Sequence, residues 1–306
     1  MGDAGPGGIW CYVKGGMGSV SNSIAKCAKD NNVDIECNKT VKSIIVENNK
    51  TKGVVLSDGT KIYSNNVISN CNPYTTYLEF LNKNELPKDF IKEVESIDFS
   101  SATFKINLAV DSLPNFSCIP TKNNEPGPQH RGTIHFIENM EQIEKGYRDA
   151  LQKKPSKYPI IEMTIPSSLD KTISPEGKHV VQLFTQYAPY ELENGKSWDD
   201  EGRKEEYAKS CYDIIEKYCP GFKKSIIGED LLSPLDLERI FGLKGGNISH
   251  GSMRLDQLFW YRPIKGYSRY SSPIDGLFIC GAGSHPGGGV MGAPGRNCAN
   301  IILSKK

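Results

Sequence analysis

The sequence predicts a mixed α/β fold in which one domain is interrupted by a second. Three observations predict it. A glycine turn at residues 15–18 leads into a helical pattern, and a run of short β segments follows to residue 69. A strand, a glycine-crowded bend and a helix then return at residues 276–303. Between these ends the chain alternates strand-like runs with polar loops. The expected division is 1–80, 81–250 and 251–306, with the middle part inserted into a domain built from the two ends.

Each element has a local reason. Residues 15–18 read GGMG and lead into SVSNSIAKCAKDNN. Val20, Ile24, Cys27 and Ala28 fall on one helical face, with Ser19 or Ser21 as the expected cap and Asn31-Asn32 as the stop. Residues 41–69 read as a β-meander. Strands are expected at 41–46, 53–56, 61–63 and 67–69, with turns at Asn48-Asn49 and Asp58-Gly59, the latter of the primed hairpin type. Residues 74–81, YTTYLEFL, read as helical. In the middle part the strongest strands are 102–110 and 178–188. Residues 199–222 form an amphipathic helix with Tyr207, Cys211, Ile214, Ile215 and Tyr218 on its apolar face, stopped by Pro220-Gly221.

Bulk properties exclude several classes. Of 306 residues, 37 are Lys or Arg and 36 Asp or Glu, which gives no electrostatic reason to expect a nucleic acid or an anionic membrane. No apolar run approaches the roughly 20 residues of a membrane span. The first residues do not read as a signal peptide, so the sequons at Asn38, Asn49, Asn115 and Asn247 have no secretory context. The nine cysteines are scattered with no CxxC, and the five histidines lie far apart. Reduced thiols are expected, with no metal site and no Cys/His dyad.

The closing bend concentrates the chemistry. Seven glycines fall within the fifteen residues 281–295, at 281, 283, 287, 288, 289, 292 and 295. Glycine admits positive φ and lets backbone approach a ligand closely. A helix expected to begin near Val290 would aim free N–H groups and a positive dipole end at the bend. Such a bend can hold a phosphate or the electron-rich edge of a flavin, and equally it can be a tightly packed turn. Gly281, Gly283 and Gly287 miss the G-x-G-x-x-G spacing by one residue, and no acidic residue follows for a ribose. Two glycine turns, each opening a helix on either side of an insertion, fit one extended cofactor lying between them.

Extended stretches carry a resemblance. They are W-x-Y-V-x-G-G-M-G-S-V-S (10–21), GVVLSDG with VISN, SPEGKHVVQLFTQYAPY (174–190), GGNISHG (245–251), LDQLFWYRP (255–263) and GLFICGAGSHPGGGVMGAPG (276–295). With them the chain resembles the phytoene-desaturase-like branch of the FAD-dependent amine oxidase superfamily. The resemblance implies a two-domain FAD-binding flavoprotein fold with an inserted substrate domain. It makes the closing segment the second half of a bipartite FAD site. Gly281, Ala282, Gly283, Gly289, Val290 and Met291 are the matching positions, and the N–H groups of Met291 and Gly292 are expected to face the flavin O2 edge. The turn of Gly15, Gly16 and Met17 is expected beside the isoalloxazine, and the Val41 backbone near the adenine. Family members open with a strand and G-x-G-x-x-G, then an acidic residue. Neither precedes Gly15 here, so the sequence is expected to match the C-terminal portion of a member, with an incomplete fold.

In such enzymes the flavin takes the hydride, and no side-chain acid or base is assigned. His250 and His285 are expected to be structural, and Cys280 a packed hydrophobe. Arg262-Pro263 and Asp256 form a buried pair or a loop anchor. Trp10, Tyr12, Phe259, Trp260 and Tyr261 line an apolar channel or pack in the core. The implied activity is FAD-dependent oxidation of a C–C or C–N bond in an apolar small molecule. The alternative is a non-catalytic relative that binds a protein partner or the missing N-terminal half. The resemblance implies the mitochondrial matrix, with the cytoplasm as the expectation otherwise.

Overall fold

The structure is a computed structural model and describes residues 12–121 and 123–304. In chain order its main elements are α1 (Gly18–Asp30), β1 (Val41–Glu47), β2 (Lys50–Leu56), β3 (Lys61–Tyr63), β4 (Val67–Ser69), α2 (Lys88–Glu95), β5 (Phe104–Val110), β6 (Ile134–Phe136), α3 (Met140–Leu151), β7 (Ile160–Thr164), β8 (His179–Gln186), α4 (Arg203–Tyr218), α5 (Phe222–Ser225), β9 (Ile226–Leu232), α6 (Pro234–Phe241), β10 (Leu277–Ile279) and α7 (Ala293–Ser304). The chain divides into two compact units. Unit 1 holds Met1–Glu36 with Ala102–Ser233, and unit 2 holds Cys37–Ser101 with Pro234–Lys306.

Unit 1 is built on a five-stranded antiparallel sheet of order β6-β7-β8-β5-β9. Alternation sets its faces: Phe104, Ile106, Leu108 and Val110 of β5 are buried, as are Val181, Leu183 and Thr185 of β8. α4 buries Tyr207, Ala208, Cys211, Tyr212 and Ile215. Phe104, Trp198 and Tyr207 form an aromatic triangle with centroid separations of 4.9 to 5.7 Å, and the Trp198 indole donates to the Pro189 carbonyl at 2.8 Å. α4 starts at Arg203, later than expected, because Gly202 is left-handed (φ 75°). Its buried face takes in Ala208 and Tyr212, while Tyr218 stays exposed.

α1 also belongs to unit 1. Neither Ser19 nor Ser21 caps it; Met17 occupies the cap position with no side-chain hydrogen bond. None of its residues is buried, and Ile24 on its expected apolar face is 63 % exposed.

In unit 2 the meander forms the sheet β1-β2-β3. The primed geometry sits at the first turn, where Asn48 (φ 50°) and Asn49 (φ 60°) are both left-handed. At the second turn only Gly59 has positive φ, and the Asp58 carboxylate accepts from Thr60 N–H at 2.9 Å, a three-residue hairpin of a different kind from the primed turn expected. Residues 75–79, within the stretch expected to be helical, form a single π-helical turn.

β4 and β10 pair in parallel, Val67 opposite Leu277 and Ser69 opposite Ile279. All three residues of β10 are buried. Leu277 and Ile279 enter a core with Ile44, Tyr77, Phe90, Val94 and Ile274, while Phe278 packs with Tyr270 and Cys298 of α7. Apolar cover on both faces is what a parallel strand needs. The sheets are open, and Ile68 of β4 is 51 % exposed.

Candidate flavin site

The site in unit 2 grows from the end of β10. Cys280 N–H donates to Ser69 O at 2.9 Å, which carries the ladder one residue further. The chain then bends. Ser284 is fully buried and ties the bend internally: its N–H donates to Gly281 O at 3.0 Å and its hydroxyl to Ile279 O at 3.1 Å. Gly287 N–H returns to Ser284 O at 2.7 Å. The buried Tyr270 hydroxyl donates to His285 O at 2.5 Å and accepts from the Asn297 amide at 2.9 Å, fastening α7 to the bend.

Contacts explain two of the glycines. A Cβ on Gly281 would stand 2.5 Å from Asn70 O, and one on Gly283 would stand 2.7 Å from Pro73 Cδ. Close packing against the β4 extension therefore requires glycine at both. Gly292 differs: a Cβ there meets nothing within 4 Å, and only φ (+66°) demands glycine. The helix expected to begin near Val290 begins at Ala293, because Val290 (φ 54°) and Gly292 (φ 66°) are left-handed. Val290 and Met291 are exposed, Val290 by 74 %. Among the described residues, the N–H groups of Ala282, Gly283 and residues 288–292 have no protein acceptor. They form a row of donors, much of it open to solvent and free to meet an anionic or electron-rich group.

Arg262 is a loop anchor, not half of an ion pair. Its buried guanidinium donates to the carbonyls of Ala282 (3.0 and 2.8 Å), Ser252 (3.1 Å), Gln257 (3.2 Å), Gly251 (3.4 Å) and Ser249. Asp256 is exposed and pairs with Arg254 at 3.3 Å. His250 and His285 each carry a buried Nδ1 with no partner. Burial, then the Arg262 charge, pushes the His250 imidazole towards its neutral form. Burial also raises the thiols of Cys71, Cys280 and Cys298, the last to about 11, so none is poised as a thiolate. Phe259, Trp260 and Tyr261 are exposed, so they are not core residues; Trp10 lies outside the described residues.

The remaining expected positions are each tied into their own unit. Val41 opens β1 of unit 2, opposite Leu56. Gly15, Gly16 and Met17 belong to unit 1. Gly15 N–H donates to the Asp170 carboxylate at 2.6 Å and Gly16 N–H to Val13 O at 3.0 Å, so both amides are already engaged. Hydrogen bonds from Thr172, then Gly15, hold the Asp170 carboxyl below its usual range.

Unit 1 adds features that sequence patterns missed. Lys105 on β5 is half-buried, and burial pulls its ammonium down to about 8. His179 has both ring nitrogens buried without partners and lines a cavity of about 320 Å³ with Ser167, Lys171 and Lys178. Neither carries a spacing signal, since burial depends on the sheet register. No described helix is long and apolar enough to cross a membrane.

The description "Flavin containing amine oxidoreductase" is that of the family whose profile matches residues 3–302. The chain belongs to this family. Membership gives it FAD as cofactor, and the unpartnered amides at the closing bend fit a group that accepts hydrogen bonds. The chain is 47 % identical over 299 residues to pyridine nucleotide-disulfide oxidoreductase domain-containing protein 2 of Rattus norvegicus, covering 97 % of this chain and 51 % of the relative. It is 29 % identical to the chloroplastic prolycopene isomerase of Daucus carota, covering 96 % and 44 %. The lycopene-forming phytoene desaturase of Pseudescherichia vulneris is 27 % identical, with 97 % and 56 % covered. The chain thus spans about half the length of the curated relatives it matches. Among solved structures, an oxidoreductase from Methanosarcina mazei superposes with a TM-score of 0.57 at 17 % identity, covering 96 % of this chain and 55 % of that one. A putrescine oxidase superposes with 0.56 at 14 %, covering 94 % and 53 %. These two show the same fold.

Proposed function

We propose that this chain carries the flavin-facing part of an oxidoreductase that moves a hydride from a C–C or C–N bond of an apolar small molecule to FAD. The observation that carries the reading is the row of unpartnered N–H groups at the end of β10, in a chain that belongs to a flavin family. Bound FAD would supply the electron sink. The amides of Ala282, Gly283, Gly289, Val290, Met291 and Gly292 would hold it by hydrogen bonds that need no cationic side chain. In the reading proposed here, Gly15, Gly16 and Met17 stand beside the ring and Val41 beside the adenine. The exposed Phe259, Trp260 and Tyr261 offer apolar surface to a substrate. No side chain is assigned the proton, and the proposed location is mitochondrial.

A polypeptide partner is the second reading, and specific observations favour it. The apolar side of α1 is uncovered, and the two-stranded parallel sheet of β4 and β10 is fewer strands than such a sheet normally needs. The deciding experiment is reconstitution of the purified chain with FAD, followed by anaerobic addition of unsaturated and amine substrates. Retained flavin colour that bleaches with substrate supports the oxidoreductase. A folded, colourless protein that stays colourless refutes it in favour of the binding role.

A further inference from the structure

Arg262 is 2 % exposed, and every hydrogen-bond partner of its guanidinium is a backbone carbonyl. None is a carboxylate. A buried cation without a counter-charge is costly, and an uncharged side chain of similar shape would avoid that cost. Its position says what the charge does. Two of its donors, Nε and Nη2, hold the Ala282 carbonyl at 3.0 and 2.8 Å. In a trans peptide the C=O and N–H point in opposite directions. Pulling the Ala282 carbonyl towards Arg262 therefore turns the Gly283 N–H away from it, and that N–H has no protein acceptor. The charge is felt locally, because it helps to keep the neighbouring His250 neutral.

We propose that Arg262 is a positioning residue of the flavin site: it holds the Ala282–Gly283 peptide with its N–H turned away from the guanidinium and sets a fixed, unneutralised positive charge behind the bend, which favours the negatively charged reduced flavin over the neutral oxidised one. Two electrons and one proton convert the neutral ring into the anionic reduced ring, so the oxidised-to-reduced change adds one negative charge. The inference rests on the flavin reading above.

The test compares FAD-loaded wild type with Arg262→Gln and Arg262→Lys, reading the two-electron midpoint potential and the melting temperature. Any two unit charges held about 10 Å apart at an effective dielectric near 20 interact strongly enough to shift an equilibrium by roughly tenfold, which sets the scale of the expected effect. Arg262→Gln is therefore expected to bind reduced flavin roughly tenfold less tightly relative to oxidised, a potential lower by about 30 mV. Arg262→Lys keeps the charge but loses the five-donor fork, so its potential stays near wild type while its melting temperature falls. An unchanged potential in Arg262→Gln overturns the proposal. So does a potential in Arg262→Lys as low as in Arg262→Gln. If Arg262→Gln does not fold, Arg262→Lys decides alone: an unshifted potential supports the role of the charge and a lowered one refutes it. Wild type that takes up no flavin overturns the flavin reading itself and this inference with it.

Discussion

Replacing Gly292 with alanine separates the two explanations of a glycine-rich bend. At this position φ is +66°, and an added Cβ meets no atom within 4 Å. The only folding cost is the left-handed backbone, about 1 kcal/mol for an L-residue. In a chain of this size that shifts the melting temperature by only about 2 °C. The methyl group would, however, project from the bend that carries the free amides. If those amides meet FAD, Gly292→Ala loses at least about tenfold in FAD affinity, or roughly 1.4 kcal/mol. Gly283→Ala is the contrasting variant. Its methyl would sit 2.7 Å from Pro73 Cδ and 3.0 Å from Cγ, a rigid ring that cannot turn aside. Overpacking of this kind costs about 1–3 kcal/mol, so that variant loses stability together with any affinity. Both are read by urea unfolding and by titration with FAD followed through flavin fluorescence. Wild-type FAD affinity in Gly292→Ala would refute the idea that residues 290–292 face the cofactor.

Three further expectations concern the cores. Lys105 has its folded-state pKa depressed to about 8 from 10.5, so the unfolded chain binds more protons between those values and stability rises with pH across that window. Lys105→Met should therefore be more stable at neutral pH, by about 1–3 kcal/mol, and should lose the rise between pH 8 and 10.5 in urea titrations; a variant no more stable than wild type at pH 7 contradicts the assigned burial cost. Tyr77 is fully buried with an unpartnered hydroxyl, so Tyr77→Phe should stabilise by about 1 kcal/mol, and a loss of that size would mean that the hydroxyl is satisfied. Ile215→Ala opens a hole under α4 at a residue with no exposure and should cost about 2–5 kcal/mol in unfolding free energy, whereas a cost below 1 kcal/mol would show that the α4 contact is loose.

The sequence is most legible where a single period decides the structure. β1, β3, β5, β8 and β10 lie close to where alternation or a bounded apolar run puts them, whereas β2 starts three residues earlier than expected and β4, expected to continue the meander, pairs with β10 instead. Boundaries fail where the backbone hand changes. Gly202 delays α4, and left-handed Val290 and Gly292 delay α7, and neither effect leaves a mark on hydrophobic period. At the bend the glycine density is plain to read, but its cause is divided. Gly281 and Gly283 answer to Asn70 and Pro73, more than two hundred residues earlier, and no local pattern encodes that contact. Arg262 is ambiguous in sequence because a buried arginine usually implies a carboxylate, and here carbonyls take that place. Lys105 lies opposite Phe184 of β8 and Leu232 of β9, and the burial that depresses its pKa depends on that register, which no local pattern encodes.

The pairing of β4 with β10 has a consequence for synthesis. Val67 leaves the ribosome more than two hundred residues before Leu277, its partner. The antiparallel sheet of unit 1 is encoded wholly in between, so it can close while β4 still waits. During that interval β4 lacks its β10 partner, and its length of three residues limits how well it can template a wrong one. The glycine bend, which continues β10 and packs on the β4 extension, therefore takes shape only after that wait ends.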